Sequence, residues 1–410
     1  MSEWAISRRS LLTSAMALIG AGCRSSRSPS EFAALSAADS GDRCPSLTAN
    51  PSDGWGSVSP KELQGANVHE APRGLASFSW EGTGVPELLP RPNARQIDPS
   101  KMQLAYQSLV DGSSAFTPKS IDSQAYVHLI YCHGNHSIHL LGNFFLAWHR
   151  AAMFFHERLI QWVLKDTSFR LPYWEPSRNF GIYGSGALNH PRGINSEIPV
   201  LPKSLLQIEG FSSAAAAILD WHGKVHKAVC GDFGKIAQAG LDPLFYGFHT
   251  FVDRVWEASQ VKGQMEPGSG WGLFFNPYQW NQNLRDRESG WVWVDLTKFK
   301  DPSAWGYRYD PPLSPDTLAE PPGLIFRDIP LGHRSPETYT ISARPKSGGK
   351  AIALAVLEPF GRHQDPYRRL DMDQTRVDEL LNGSWDFVVT PAQQSVPITT
   401  LGYNQVVRAR

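Results

Sequence analysis

Cysteine is scarce in this chain. The four residues, at positions 23, 44, 132 and 230 of 410, are too few and too scattered for a disulfide scaffold or a paired-cysteine zinc module. Net charge is missing as well, because 39 Lys and Arg balance 39 Asp and Glu. That balance leaves no basic footprint for nucleic acid and no polybasic membrane anchor. There is no repeat of the solenoid kind. The apolar run at 11–21 is too short to span a bilayer comfortably as a helix. What the chain does have is length for one large catalytic domain with an appendage, or for two to three small domains, and 14 Trp and 20 Phe for an aromatic core.

The first 23 residues read as an export signal. Ser7-Arg8-Arg9-Ser10 precedes the apolar run and resembles the twin-arginine type, which exports folded proteins. Ala21-Gly22-Cys23 resembles the end of a lipoprotein cleavage box, with Gly20 where leucine is preferred; lipidation of Cys23 would tether the protein to a membrane. The expectation is an exported protein, periplasmic or secreted. Residues 24–90 are rich in Ser, Gly, Pro and Asp and read as a tether with irregular loops. From Asp98 onward the spacing predicts helices over 103–110, 123–133, 148–165, 209–228 and 244–257. In the third of these, Ala152, Phe155, Leu159 and Val163 form one stripe. The expected fold is a mainly α catalytic domain, a four-helix bundle with long irregular loops, over 91–309. A linker at 310–322 carries five prolines, and a small β-rich domain follows at 323–410.

Histidine carries the chemistry. In DWHGKVHKAV, His222 and His226 stand one helical turn apart, so their ring nitrogens can converge on one metal ion. An H-x3-H pair alone is a weak signal, since most such pairs are merely hydrogen-bonded. Downstream, LDPLFYGFHTFVDRVW places His249 among Phe245, Phe248 and Phe251, where an unsatisfied ring nitrogen would cost about 1–3 kcal/mol. The segment QAYVHLIYCHGNHSIHLLGNFFLAWHRAAMFFHERL repeats the logic with His128, His139 and His149. Two sets of three imidazoles suit Cu, Zn, Fe or Ni, and spacing alone does not choose among them.

FLAWHRAAMFFHE, WHGKVH, DPLFYGFHTFVDRVW, LPYW at 171–174 and GYRY at 306–309 together resemble the type 3 copper proteins, specifically tyrosinases, catechol oxidases and polyphenol oxidases. The resemblance covers roughly 91–309, with a looser match beyond, and is to a bacterial member with plant-type polyphenol oxidase features. It implies two copper ions: CuA on His128, His139 and His149, and CuB on His222, His226 and His249. It implies a thioether between Cys132 and His139; the alternative for Cys132 is a small buried thiol. It also implies a domain-closing motif at Tyr307 and Tyr309, tied to Arg91 or Arg95, and supporting or entrance positions at Glu157, Gly223, Lys227, Phe248 and Asp253. His133, His136, His156, His190 and His363 have no counterpart and read as loop, surface or otherwise ordinary residues.

Four departures stand out. The interval from His139 to His149 is one residue longer than the family norm, which keeps His136 open as the second CuA ligand. Phe248 replaces the first of a usual histidine pair. EPS follows LPYW in place of NWD. Gly223 stands where monophenol-hydroxylating members often carry Asn, and 210–221 contains no glutamate, Asp220 being its one acid. The implied activity is oxidation of o-diphenols to o-quinones by O2, with weak monophenol hydroxylation. Alternatives are an o-aminophenol oxidase, a true tyrosinase, a hemocyanin-like O2 carrier and a dizinc hydrolase.

Overall fold

The computed structural model describes residues 87–111, 121–132, 144–236, 238–265, 270–277, 291–318, 322–326, 329, 339–357, 368–391, 399–402 and 405–408. The export signal with Cys23, the tether up to residue 86, and His133, His136, His139 and His363 lie outside the described residues.

Five helices build the larger body: α1 (Ser100–Asp111), α2 (Ile121–Cys132), α3 (Phe145–Leu164), α4 (Phe211–Ala228) and α5 (Pro243–Ala258). Helix α3 starts at Phe145, three residues before the position predicted from spacing. It ends where Lys165 turns left-handed at φ 53° and its N–H caps the carbonyls of Gln161 and Trp162. The single stripe expected on α3 is too narrow. All but one of the residues from Phe145 to Gln161 are buried, with Ala152 the exception, so this helix is central and covered all round. Helix α5 begins on Asp242, whose carboxylate accepts from Leu244 N, with Pro243 in the first turn. Helices α2 and α5 are brought close by Gly240, where any Cβ would lie 2.7 Å from Ala125 Cα.

The tether region ends in a short strand, β1 (Leu89–Arg91), that sequence periodicity did not reveal. It pairs in parallel with β4 (Tyr307–Tyr309), placing Arg91 opposite Tyr309 and joining the two ends of the helical body. Between them, β2 (Trp271–Phe275) and β3 (Trp291–Asp295) form an antiparallel pair. One hydrophobic cluster runs from Ala94 to Leu313 through all five helices.

A second, separate cluster gathers Leu324, Phe326, Tyr339, Ile341, Val377 and Phe387. It sits between two antiparallel sheets, β10-β9-β6-β7 and β11-β5-β8, and helix α6 (Gln374–Leu381). The strands are β5 (Gly323–Phe326), β6 (Tyr339–Pro345), β7 (Ile352–Leu357), β8 (Arg368–Asp371), β9 (Trp385–Pro391), β10 (Thr399–Thr400) and β11 (Val406–Arg408). No helix among the described residues is long and apolar enough to cross a membrane.

Candidate metal centre

Four of the five helices converge their histidines at one place. On α4, His222 and His226 share a face, and His249 of α5 meets them: the candidate ligand atoms of these three lie within 4.8 Å of one another. His222 Nε2 and His249 Nε2 are 2.9 Å apart. On the other side, His128 of α2 and His149 of α3 gather with Cys132 under the same distance limit. Cys132 Sγ lies 3.9 Å from His149 Nε2. The Cys132 thiol is buried, and burial pushes its pKa well up.

The two clusters touch. The rings of His149 and His249 stack at 4.3 Å and 15°, and His128 lies 6.3 Å from His249, centroid to centroid. Two ions held by these groups would therefore be neighbours.

A backbone carbonyl orients each of three ligands. His149 Nδ1 donates to Phe145 O at 2.8 Å, His249 Nδ1 to Phe245 O at 2.8 Å, and His226 Nδ1 to Phe233 O at 2.6 Å. A carbonyl can only accept, so Nδ1 carries the proton and the Nε2 lone pair faces inward. Burial holds the rings of His226 and His249 neutral. The pKa of His226 is pushed down to about 4 by desolvation, its bond to Phe233 working the other way. His249 is held well below the usual imidazole range by burial and then by the neighbouring imidazoles. A concentration of neutral, inward lone pairs in an apolar setting is a donor set for a cation and fits imidazole-bound copper.

From the sequence, Phe245 was named only as part of the apolar setting of His249 and Phe145 was given no role, although F-x3-H occurs at both 145/149 and 245/249. Each supplies the carbonyl for the ligand one turn on, and each ring reaches across. Phe145 lies 4.6 Å from His149 and 4.9 Å from His222, while Phe245 lies 4.0 Å from His249 and 4.5 Å from His128. Phe248, in the place of a usual histidine, lies parallel to His222 at 5.5 Å and edge-on to His226.

Beneath the ligands, a charge network locks α3 to α5. Asp253 accepts from Arg150 Nε (2.5 Å), Tyr309 Oη (2.6 Å), Tyr307 Oη (2.8 Å) and an Arg91 terminal nitrogen (3.2 Å). Glu157 accepts from Arg91 Nε at 3.0 Å and from Leu171 N at 2.8 Å. Arg91 lies 3.5 Å over the Tyr307 ring. Of the two arginines considered for the domain-closing motif, it is Arg91 that is buried there. Arg95 instead bonds the Glu175 carbonyl and Ser177.

One histidine departs from the expectation. His156 is not a surface residue: it is fully buried, bonded to Tyr106 Oη at 2.7 Å and stacked on Tyr246 at 3.5 Å, and burial pushes its pKa down to about 3. Its place two turns after His149 on α3 was the available signal. His190, read as ordinary, lies in irregular backbone, half-buried, and pairs with Asp232 at 2.5 Å. On α4, Lys227 is exposed, and a Cβ on Gly223 would meet nothing within 4 Å. Among the cysteines, Cys230 is disulfide-bonded.

Residues 118–204 and 195–262 match the family model "Tyrosinase: Common central domain of tyrosinase". The chain is similar to the chloroplastic (+)-larreatricin hydroxylase of Larrea tridentata, 22% identical over 235 residues, 40% of each chain. It is likewise similar to the chloroplastic polyphenol oxidase of Vitis vinifera, 25% identical over 258 residues, 46% of this chain and 42% of the relative. The chain thus spans about two fifths of the length of the curated relatives it matches. Among solved structures, a latent aurone synthase (polyphenol oxidase) superposes with TM-score 0.51 at 14% identity, covering 82% of this chain and 92% of the other, a likeness of fold.

Proposed function

We propose that the chain, whose residues 118–262 match the tyrosinase family model and which is similar to polyphenol oxidases, is a type 3 copper oxidase that oxidises o-diphenols to o-quinones with O2 and hydroxylates monophenols weakly. The observation that carries this reading is the stacking of His149 on His249 at 4.3 Å, which brings the two ligand clusters into direct contact. His222, His226 and His249 would hold CuB; His128, His149 and, from 133–143, His139 would hold CuA, with His136 the alternative. The bound copper pair supplies two-electron redox chemistry that couples diphenol oxidation to O2 reduction.

The protein's own residues do the rest. Phe145, Phe245 and Phe248 wall the ligands in apolar surface and keep water from their lone pairs. The carbonyls of Phe145, Phe233 and Phe245 fix the ring planes. Gly223 leaves open space where a carboxamide would sit, so no side chain at that position can orient a proton acceptor for a bound monophenol. A catechol is more acidic and chelating, and needs less help. The weakness of monophenol turnover is the finer part of the reading, and a hydroxylase among the relatives favours a second one, true tyrosinase activity on the same site.

Oxygen uptake by the copper-supplied protein, with a catechol, an o-aminophenol and a monophenol compared, tests the proposal. Fastest uptake on the catechol supports it. Equal rates on the monophenol make the protein a tyrosinase, faster uptake on the aminophenol an aminophenol oxidase, and O2 binding without turnover a carrier. Cys132 is proposed to form a thioether with His139, which the intact mass would reveal as the loss of two hydrogens beyond that for the Cys230 disulfide. Export is proposed too. The twin-arginine-type start supports it, as does the disulfide at Cys230, a bond that persists in oxidising compartments. Cell fractionation tests the compartment, and acyl labelling of Cys23 tests the lipid tether.

A further inference from the structure

Residues 190–195 lie between LPYW and α4, and no ligand motif touches them. Yet they are bonded to the ends of both helices that carry the second ligand set. On the α4 side, Asn195 N donates to Ala228 O at 2.9 Å and Cys230 N donates to Gly193 O at 3.1 Å. Between these two bonds, Ile194 and Val229 form an antiparallel bridge. The contact is tight: Gly231 has φ +88°, and a Cβ there would lie 2.3 Å from Pro191 O, so only glycine fits. One residue on, Asp232 pairs with His190 Nε2 at 2.5 Å, the two side chains being 11% and 28% exposed.

The next residue is Phe233, whose carbonyl accepts the proton of His226 Nδ1 and whose ring stacks on His226 at 4.3 Å and 27°. The chain between Val229 and Phe233 therefore has one end on the 190–195 segment and the other on a ligand. Gly234 seals it, since a Cβ there would lie 2.9 Å from Val229 O.

On the α5 side, Arg192 forks onto Asp242 with Nε at 2.7 Å and a terminal nitrogen at 2.5 Å. Its two side nitrogens also reach Tyr183 O at 2.6 Å and Leu188 O at 3.0 Å. Both partners are buried, at 2% and 0% exposure. Asp242 is the residue that caps α5 through Leu244 N, one turn before Phe245 and two before His249. A bidentate guanidinium on a capping carboxylate fixes both its position and its charge.

We propose that residues 190–195 form a clasp that positions the second ligand set: His190 with Asp232 sets His226 through Phe233, and Arg192 with Asp242 sets the start of the helix bearing His249. These four are positioning residues, since none reaches the ligand atoms themselves. The proposal deepens the reading of a dinuclear copper site and rests on it for the metal, though not for the imidazole geometry.

The test uses His190→Ala, His190→Gln, Asp232→Asn and Asp242→Asn in the full chain, with Lys101→Ala, which removes an exposed ion pair elsewhere, as the control. Two readouts are taken. In copper-supplied protein, competition with a Cu(I) chelator should show one of two coppers weakened about 10–100-fold, the usual cost of disturbing a residue behind a ligand. The other copper should be held as in the parent protein, and His190→Gln, which keeps an N–H donor, should recover part of the loss. In metal-free protein, 15N spectra of the imidazoles should show His226 as the Nδ1–H form, with that population reduced in His190→Ala and Asp232→Asn.

Equal weakening of both coppers, tracking a fall in Tm, would overturn the clasp in favour of a general packing role. Unchanged coppers and unchanged imidazole spectra would overturn it as well. If the parent protein bound no copper, the dinuclear reading would fail by itself; the imidazole spectra would then still decide the clasp.

Discussion

The two halves of the metal centre are built alike at one level and differently at another. Both use a helix with phenylalanine one turn before histidine, Phe145–His149 on α3 and Phe245–His249 on α5. In both, the carbonyl holds the ligand and the ring crosses to the opposite cluster. They differ in where the remaining ligands come from. The His222 side takes a helical pair spaced i, i+4 and has its flanks pinned by the contacts of His190 with Asp232 and of Arg192 with Asp242. The His128 side has a lone helical histidine with Cys132 beside it, and its third candidate falls in 133–143. One half thus draws on an i, i+4 helical pair flanked by anchored carboxylates, the other on a single helical histidine beside a sulfur atom.

The sharpest way to break this comparison is at a shared element. Asp253 joins Arg91 and Arg150 beneath both halves, so Asp253→Asn leaves buried guanidinium charge undercompensated. It should cost about 3–5 kcal/mol. Chemical denaturation measures this, and copper should be lost from both sites in parallel. An asymmetric loss would mean that the network serves one half only.

Acid should act next most strongly. His156 is buried and His226 half-buried, with pKa values pushed down to about 3 and about 4 from an ordinary 6.5. Above pH 6.5 both are neutral whether folded or unfolded and contribute no pH dependence. Below it the unfolded chain takes up protons that the native state refuses, so the metal-free protein should lose stability steadily as pH falls from about 6.5 toward 3. His156→Phe should flatten that slope in urea titrations at several pH values.

The matched pair Phe145→Leu and Phe245→Leu sharpens the likeness between the halves. Each keeps the orienting carbonyl and removes the crossing ring. Each should therefore lower stability by about 1–3 kcal/mol while leaving two coppers bound, as thermal unfolding and metal analysis would show. Retained copper in one variant and loss in the other would show that one ring does more than pack.

The smallest effect on stability should come from Gly223→Asn, because the open space there admits a side chain. The change should stay within about 1 kcal/mol, set by helix propensity in a direction favouring Asn slightly. The ratio of monophenol to catechol turnover should rise. An unchanged ratio would remove Gly223 from the explanation of substrate preference.

How much of this was legible follows from the same contrast. The pair His222/His226 and the lone His249 announce themselves because helical periodicity turns sequence spacing into spatial proximity. The carbonyls of Phe145 and Phe245 obey the same periodicity and could have been found by asking what each buried Nδ1 donates to. His190, Asp232, Arg192 and Asp242 could not. Their pairings span 42 and 50 residues through irregular backbone, where no period relates sequence to space. His156 was misread because its role is internal to the core: Tyr106, 50 residues earlier, supplies its hydrogen bond. Strand β1 was hidden by its length of three residues and by a parallel partner more than 200 residues away.

The C-terminal sheets meet the helical body at the back of α4. Lys224 Nζ donates to Arg369 O at 2.6 Å, and Lys224 stands two residues from each of His222 and His226, on the opposite side of the helix. That contact supports the helix from behind.

The central claim is that both ligand clusters serve one cavity, and copper titration followed by electron paramagnetic resonance tests it most directly. The account expects two coppers per chain whose Cu(II) signals vanish together through mutual coupling as the second site fills. One copper per chain at saturation, or two with full and independent Cu(II) signals, would contradict it.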